Sequence, residues 1–278
     1  MKGQEALILS LTLAATALVF APFFWILGAV AYNGALVLAK AGLGFLLKRP
    51  PLPGTNSLGG IGTVIEGSLL IVGMAMAIAT PLSLLTALHI TLHEDSPIAK
   101  LGRALMDIMV EFPTIVIGIS VFLIFGLALG LGLSALTASI ALAIMIPYTT
   151  IQAVEAMKIP KEVVYEAAVA LGLREGHVAK IILTEGKGGV ITGVLIGMVK
   201  IFGETAPLLF TTATSFDILA NSPLSPVSAV PVLIFVYAFS PYTNWQEVAW
   251  GASLVLSLIV LGIYIAVRLS LSKGGLRE

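Results

Sequence analysis

Six apolar runs, each long enough to cross a bilayer, constrain this chain more than any other feature. They cover residues 6–32, 61–90, 112–133, 134–152, 189–212 and 246–268. A hydrocarbon core of about 30 Å takes roughly 20 apolar residues in a helix. Backbone in lipid must satisfy its own polar groups, so the runs are expected to be helical. Composition agrees. Hydrophobic residues make up 58% of the chain and charged residues 11%, against about 25% charged in a soluble domain, which is too little polar surface for a water-soluble fold. Disorder is excluded, because it needs many charges and few apolar residues. The lack of cysteine removes disulfide scaffolds, thiolate metal sites and cysteine nucleophiles.

The expected fold is therefore all-α: a polytopic membrane protein of six transmembrane helices in a single domain over residues 1–278. The first run follows Lys2 as in a signal peptide, but its apolar stretch is too long, so it reads as an uncleaved span. The second is long enough to project past the bilayer, with Pro81 as a possible kink. The third and fourth meet at Gly130-Leu131-Gly132-Leu133-Ser134 and form a hairpin. A further apolar run, 223–240, is interrupted by Pro226 and Pro231 and reads as a re-entrant or surface-lying helix. Residues 33–60, rich in Pro and Gly, read as irregular connection.

Orientation follows from basic residues in the loops. With the N-terminus inside, the inner side holds Lys2, Lys100, Arg103, Lys158, Lys161, Arg174, Lys180, Lys187, Arg268, Lys273 and Arg277. The outer side holds only Lys40, Lys48 and Arg49. Both termini are thus expected in the cytoplasm, and loop 153–188 with them. The 15 basic and 15 acidic residues cancel, so net charge names no partner and nothing points to nucleic acid.

The loop 153–188 has internal order. Pro160 suits a first helical position, and Gly172 suits the left-handed residue past a helix end. Between them Val163, Ala167, Ala170 and Leu171 share one face. A second short helix fits about 175–183. On composition alone the segment reads either as a solvated connector or as a docking element whose small residues admit a partner's backbone.

The residues decide between these readings through a resemblance. Glu166-Ala167-Ala168, then Gly172-Leu173, then Ile181-Ile182-Leu183 are similar to the EAA loop of binding-protein-dependent ABC importer permeases. Thr184 stands where that pattern has Pro. The resemblance implies a type I ABC importer permease whose cytoplasmic EAA loop, through Glu166, Ala167, Ala168, Gly172 and Leu173, couples to a separate ATPase. The chain supplies no ATPase itself, because Gly186-Lys187 lacks the flanking residues of a phosphate-gripping P-loop.

Three charges fall inside the apolar runs, away from their ends: Glu66 in the second, and Lys200 and Glu204 in the fifth. Ionisable residues at membrane depth are costly and default to a functional hypothesis. Lys200 and Glu204 are i,i+4 neighbours, and by helix rise all three lie roughly 8–18 Å below the outer surface, so they are expected to meet in one cavity. They read either as an internal salt bridge or as an anion path in which Lys200 contacts the anion and Glu204 tempers it. Thr205 and Thr211 are candidate hydroxyls along it, each equally able to bond a carbonyl on its own helix. Pro207 is expected to kink the helix beside Glu204.

Here too the residues carry a resemblance. Lys200-Ile-Phe-Gly203-Glu204-Thr205-Ala206-Pro207-Leu208-Leu209 is similar to the fifth span of phosphate-import permeases, with Lys for the usual Arg. Lys keeps the charge and loses the flat two-pronged grip. Pro81-Leu82, Glu111-Phe-Pro113-Thr-Ile-Val-Ile-Gly118 and Ile146-Pro147-Tyr148 also fit, so the resemblance covers about residues 60–270. It implies a transport subunit rather than an enzyme, with no cofactor. The implied partners are a second permease in a heterodimer, two ATPase subunits, an external phosphate-binding protein and the bilayer of the cell membrane. Importers of sulfate, molybdate or tungstate remain an alternative. So does a secondary transporter using Glu66 and Glu204 as proton carriers, though it would not need the Glu-Ala-Ala loop. His89 and His93 are i,i+4 but read as an interfacial helix end rather than a metal site. Asp107 and Glu111 suit the positive N-terminus of the third span.

Overall fold

A computed structural model of the protein describes the backbone of residues 2–274 and most side chains, excepting those of 2, 3, 6, 146–148, 159, 160, 166, 169 and 267–274. Every regular element among the described residues is helical. Helix α1 (Lys2–Ala41) is followed by a tight helical turn, Gly42–Leu46. Then come α2 (Gly62–Leu92) and α3 (Pro97–Glu111). Helix α4 (Thr114–Val121) continues as a wide π-helical segment, Phe122–Ala128. The rest are α5 (Ala135–Ala143), α6 (Ile146–Ala170), α7 (Glu175–Glu185), α8 (Lys187–Phe202), the single turn α9 (Leu208–Thr211), α10 (Val230–Ala238) and α11 (Thr243–Gly274).

Three helices, α1, α2 and α11, are long and apolar enough to cross a membrane by themselves. Two bent pairs would bring the number to five: α3 with α4 and its π segment, at 102°, and α7 with α8, at 71°. The chain is thus a multi-pass membrane protein of three to five spans by this measure. The expected run 134–152 is shared between α5 and the start of α6, which explains why it does not register as one helix.

Several boundaries differ from expectation. Helix α1 runs to Ala41 rather than ending near 32, so part of the connection read as irregular is helical. Its register is set by Gly34, where a Cβ would lie 2.5 Å from that of Leu254 on α11. The loop helix does not begin at Pro160, because α6 runs unbroken from Ile146 to Ala170. The first turn of a helix tolerates proline best, yet this helix absorbs one lost hydrogen bond well inside it. Asp107 and Glu111 belong to α3, a separate helix capped by the Ser96 hydroxyl, which accepts from the Ala99 N–H at 3.1 Å.

The bundle has two ends. At one, called the hairpin end, Gly130 and Gly132 turn the chain between the π segment and α5 with φ of 73° and 62°, a region open to glycine at little cost. The opening amides of α5 would be orphans. Ala135 and Leu136 donate theirs to the carbonyls of Ser225 (3.2 Å) and Pro223 (2.8 Å), and the Ser134 hydroxyl accepts from Thr137 N–H at 3.2 Å. The main core lies towards this end, around Ile71, Leu142, Leu233 and Tyr237. At the other, called the knob end, a smaller core of Ala87, Ala153, Met157, Ala168, Val178 and Ile182 joins α2, α6 and α7.

Candidate functional site

The fifth apolar run does not stay helical. Helix α8 stops at Phe202 and α9 resumes at Leu208. Pro207 brings no N–H and crowds the carbonyl of Gly203 four residues back, and Gly203 is itself a poor helix former. A kink was expected there; the structure has a full break over residues 203–207. Helix α4 braces the break, because a Cβ on Gly118 would lie 2.5 Å from Pro207 Cα. The two sequence stretches 111–118 and 203–207 therefore meet in space.

Glu204 sits in this break and still pairs with Lys200, at 2.9 Å. Its amide donates to the Ile201 carbonyl at 3.2 Å. The pair is lopsided: the Glu204 side chain is 10% exposed and that of Lys200 43%. The carboxylate is sunk, and the Lys200 side chain is the more open member of the pair. Lys200 offers three donors on a flexible stem.

The remaining expected site residues divide. Thr205 is half-buried within the break. Thr211 is buried and donates its hydroxyl to the Pro207 carbonyl at 2.9 Å, and Thr212 donates to that of Leu208 at 2.7 Å. Both hydroxyl protons are engaged on their own turn. Glu66 is exposed on α2.

Sequence reasoning missed the device that positions α8. Gly189, Gly193 and Gly197 recur every fourth residue and press against α6. A Cβ would lie 2.6 Å from that of Ala156 at Gly189 and 2.8 Å from that of Gln152 at Gly193, and at Gly197 it would strike the Thr149 hydroxyl. This spacing of small residues is the usual means of close helix approach in lipid, and it was legible in the sequence.

At the knob end, Gly172 takes φ of 68°, and the Leu173 N–H donates back to the Ala168 carbonyl at 3.0 Å, closing α6. The Glu-Ala-Ala triplet splits. Ala168 is 2% exposed and packs inward, whereas Ala167 is exposed. The Glu166 side chain lies outside the described residues. Val163, Ala167, Ala170 and Leu171 share one exposed face, with Val163 73% and Leu171 78% open, and Leu173 lies just past it.

Exposed ion pairs tie this knob to its neighbours. Lys161 donates to Glu94 at 2.8 Å, with Arg103 4.0 Å from the same carboxylate. The hydrogen bond from Lys161 and its charge hold the Glu94 carboxyl below its ordinary range. His93 stacks on His89 and lies 2.7 Å from Glu175 at the start of α7. Where the family pattern has Pro, the Thr184 hydroxyl instead donates to the Lys180 carbonyl at 2.7 Å, and α7 ends at Gly186.

No protein-family profile matches the chain. Individual proteins do. The probable phosphate transport system permease protein PstA of Methanocaldococcus jannaschii is 36% identical over 270 residues, covering 96% of this chain and 94% of that protein. The PstA proteins of Haemophilus influenzae and Yersinia pestis are 34% and 32% identical, covering 78% and 98% of this chain and 77% and 90% of their own. Identity of this level over nearly the whole length leaves one conclusion: the chain belongs to the PstA family of phosphate transport system permease proteins.

Proposed function

We propose that this chain is the membrane permease subunit of an ATP-driven phosphate importer and forms half of its translocation path. The observation that carries the reading is end-to-end similarity to proteins named as phosphate transport permeases. It is a transport subunit, and ATP hydrolysis belongs to a separate ATPase. The single domain crosses the cell membrane six times, as α1, α2, α4 with its π segment, α5 with the start of α6, α8 with α9, and α11. Both termini lie in the cytoplasm. The hairpin end faces outward and the knob end, loop 153–188, faces the cytoplasm. Partners are a related permease, two ATPase subunits and an external phosphate-binding protein.

In this reading the exposed face of Val163, Ala167 and Leu171 seats in a cleft of the ATPase, while buried Ala168 anchors that face from inside and Gly172 ends the helix that carries it. Closure of the ATPase pair moves the knob, and ATP thereby favours one arrangement of the spans over another. Lys200 meets phosphate beside the break, and Glu204 keeps the ammonium in place and the site from binding too tightly, since a transport site must release its cargo. Thr205 lines the same path, Thr211 braces its wall, and Glu66 stands nearer the mouth.

Two experiments test the reading. Ala167→Trp should abolish co-purification of the ATPase while the protein remains folded in membranes, and normal co-purification would sink the docking role. With the chain free of native cysteine, Gly176→Cys should react with an impermeant thiol reagent only from the cytoplasmic side. Labelling from outside would overturn the topology.

A further inference from the structure

Helix α3 has three faces, and one of them has no cover among the described residues. Ile98, Leu101, Leu105, Ile108 and Phe112 recur at i, i+3, i+7, i+10 and i+14, a single stripe of a 3.6-residue helix. All five are exposed, from 69% at Ile98 to 43% at Phe112. A second face carries Ala99, which is buried, and half-buried Met106 and Val110, against the bundle. Arg103 joins it by donating to the Ile90 carbonyl of α2 at 3.2 Å. The third face is polar: Lys100, Asp107 and Glu111, all exposed. The apolar stripe and the polar face point in different directions, with the protein face between them.

The geometry points to an occupant for the stripe. Helix α3 bends by 102° from α4 and its π segment. When that segment stands across the bilayer, α3 lies along its surface. The stripe also continues, through Phe112, into exposed apolar residues of the spanning segment, Ile115, Ile119 and Leu123. An apolar groove of about 350 Å³ at the elbow, lined by Ile108, Met109, Phe112, Ile117, Val121 and Phe125, makes the surface continuous. A helix with an apolar stripe, a polar face and a right-angle junction to a span is built to lie in the interface plane.

We propose that α3 is an interfacial helix whose Ile98–Leu101–Leu105–Ile108 stripe is buried in the lipid leaflet on the knob side. The inference rests on the membrane-permease reading and adds a lipid contact to it. Arg103 and Glu94 then connect this floating helix to Lys161 of α6, so the element that carries the exposed loop face is tied to the bilayer surface.

The chain with its partner subunits in liposomes provides the test. Single-cysteine variants Leu101→Cys, Leu105→Cys, Lys100→Cys and Asp107→Cys are labelled with an environment-sensitive fluorophore, with Leu123→Cys as reference. Phosphatidylcholine spin-labelled near its glycerol should quench positions 101 and 105, and aqueous iodide should quench 100 and 107. Equal iodide quenching at all four would overturn the proposal. Protection of 101 and 105 that appears only with the ATPase present, without lipid quenching, would also overturn it and give the stripe to that protein. Lipid quenching at Leu123→Cys tests the span itself, so a failure of α3 and a failure of the membrane reading are told apart.

Discussion

The two ends of this bundle are fastened by different chemistry. At the hairpin end the fastenings are buried and local to the core. Tyr237 stacks on Trp245 at 4.1 Å, Phe216 packs edge-on to Tyr237, and the Trp245 indole N–H donates to the Pro51 carbonyl at 3.0 Å. The Ser68 hydroxyl accepts from Val230 N–H at 2.8 Å, and the Thr63 hydroxyl donates to the Phe216 carbonyl. At the knob end, by contrast, a small core is supplemented by solvated pairs between elements: Lys161–Glu94 and His93–Glu175. Buried aromatic and hydrogen-bonded contacts are costly to break, and exposed ion pairs are not. One end is a fixed frame, and the other is held by weaker contacts.

The largest expected effect breaks the seam that joins the two ends. Gly197→Leu drives a side chain into Thr149 of α6, where no space exists. Ordinary overpacking costs about 1–3 kcal/mol; here the clash begins at the Cβ itself, so the cost should exceed that range and the variant should lose its thermal transition in detergent. An unchanged transition would mean that α8 and α6 are not closely packed. Next is the hairpin-end frame. Trp245→Ala removes the Tyr237 stack and the bond to Pro51, at a cost of about 2–4 kcal/mol for a large aromatic that is half-buried. The melting temperature should fall clearly, while Trp245→Phe should recover part of the loss.

The knob end should respond in the opposite sense. Leu171→Asp alters a side chain that is 78% exposed, so stability should change by no more than about 0.5 kcal/mol while ATPase binding is lost. Smallest of all is Glu94→Gln. An exposed pair contributes at most about 1 kcal/mol, and the variant should melt within that range of the parent. Its sign with pH is set by the lowered carboxyl. The contribution is present above the unfolded value and is lost as pH falls through the lower folded one. Neutral and mildly acidic solution should therefore leave the tether intact, and only pH below the ordinary carboxylate range should release it. A tether that opened between pH 5 and 7 would contradict this.

Much of this division could be read from residues in order. Apolar length announced the helices, and the Lys200-to-Leu209 stretch located the break because proline and glycine act through the backbone itself. Gly172 was recognisable as a helix end for the same reason. What stayed hidden depends on contacts distant in sequence. Nothing local says that Ala168 turns inward to the Val178 cluster while Ala167 turns out. Pro160 misled because a single proline is compatible with either a helix start or a tolerated interruption. Helix α3 was hidden inside the approach to a span, since its sharp bend falls at Phe112-Pro113 and a run of apolar residues does not reveal direction.

The central claim is that the half-exposed ammonium of Lys200, held by buried Glu204, contacts the transported anion. The most direct measurement is ATP-driven phosphate uptake by the reconstituted complex carrying Lys200→Gln or Lys200→Arg. The account predicts that uptake falls by about tenfold or more in the Gln variant, equivalent to losing about 1.4 kcal/mol of contact, with ATPase co-purification unchanged and activity retained with Arg. A Gln variant that transports phosphate at the parent rate would contradict it, leaving the pair as a structural salt bridge.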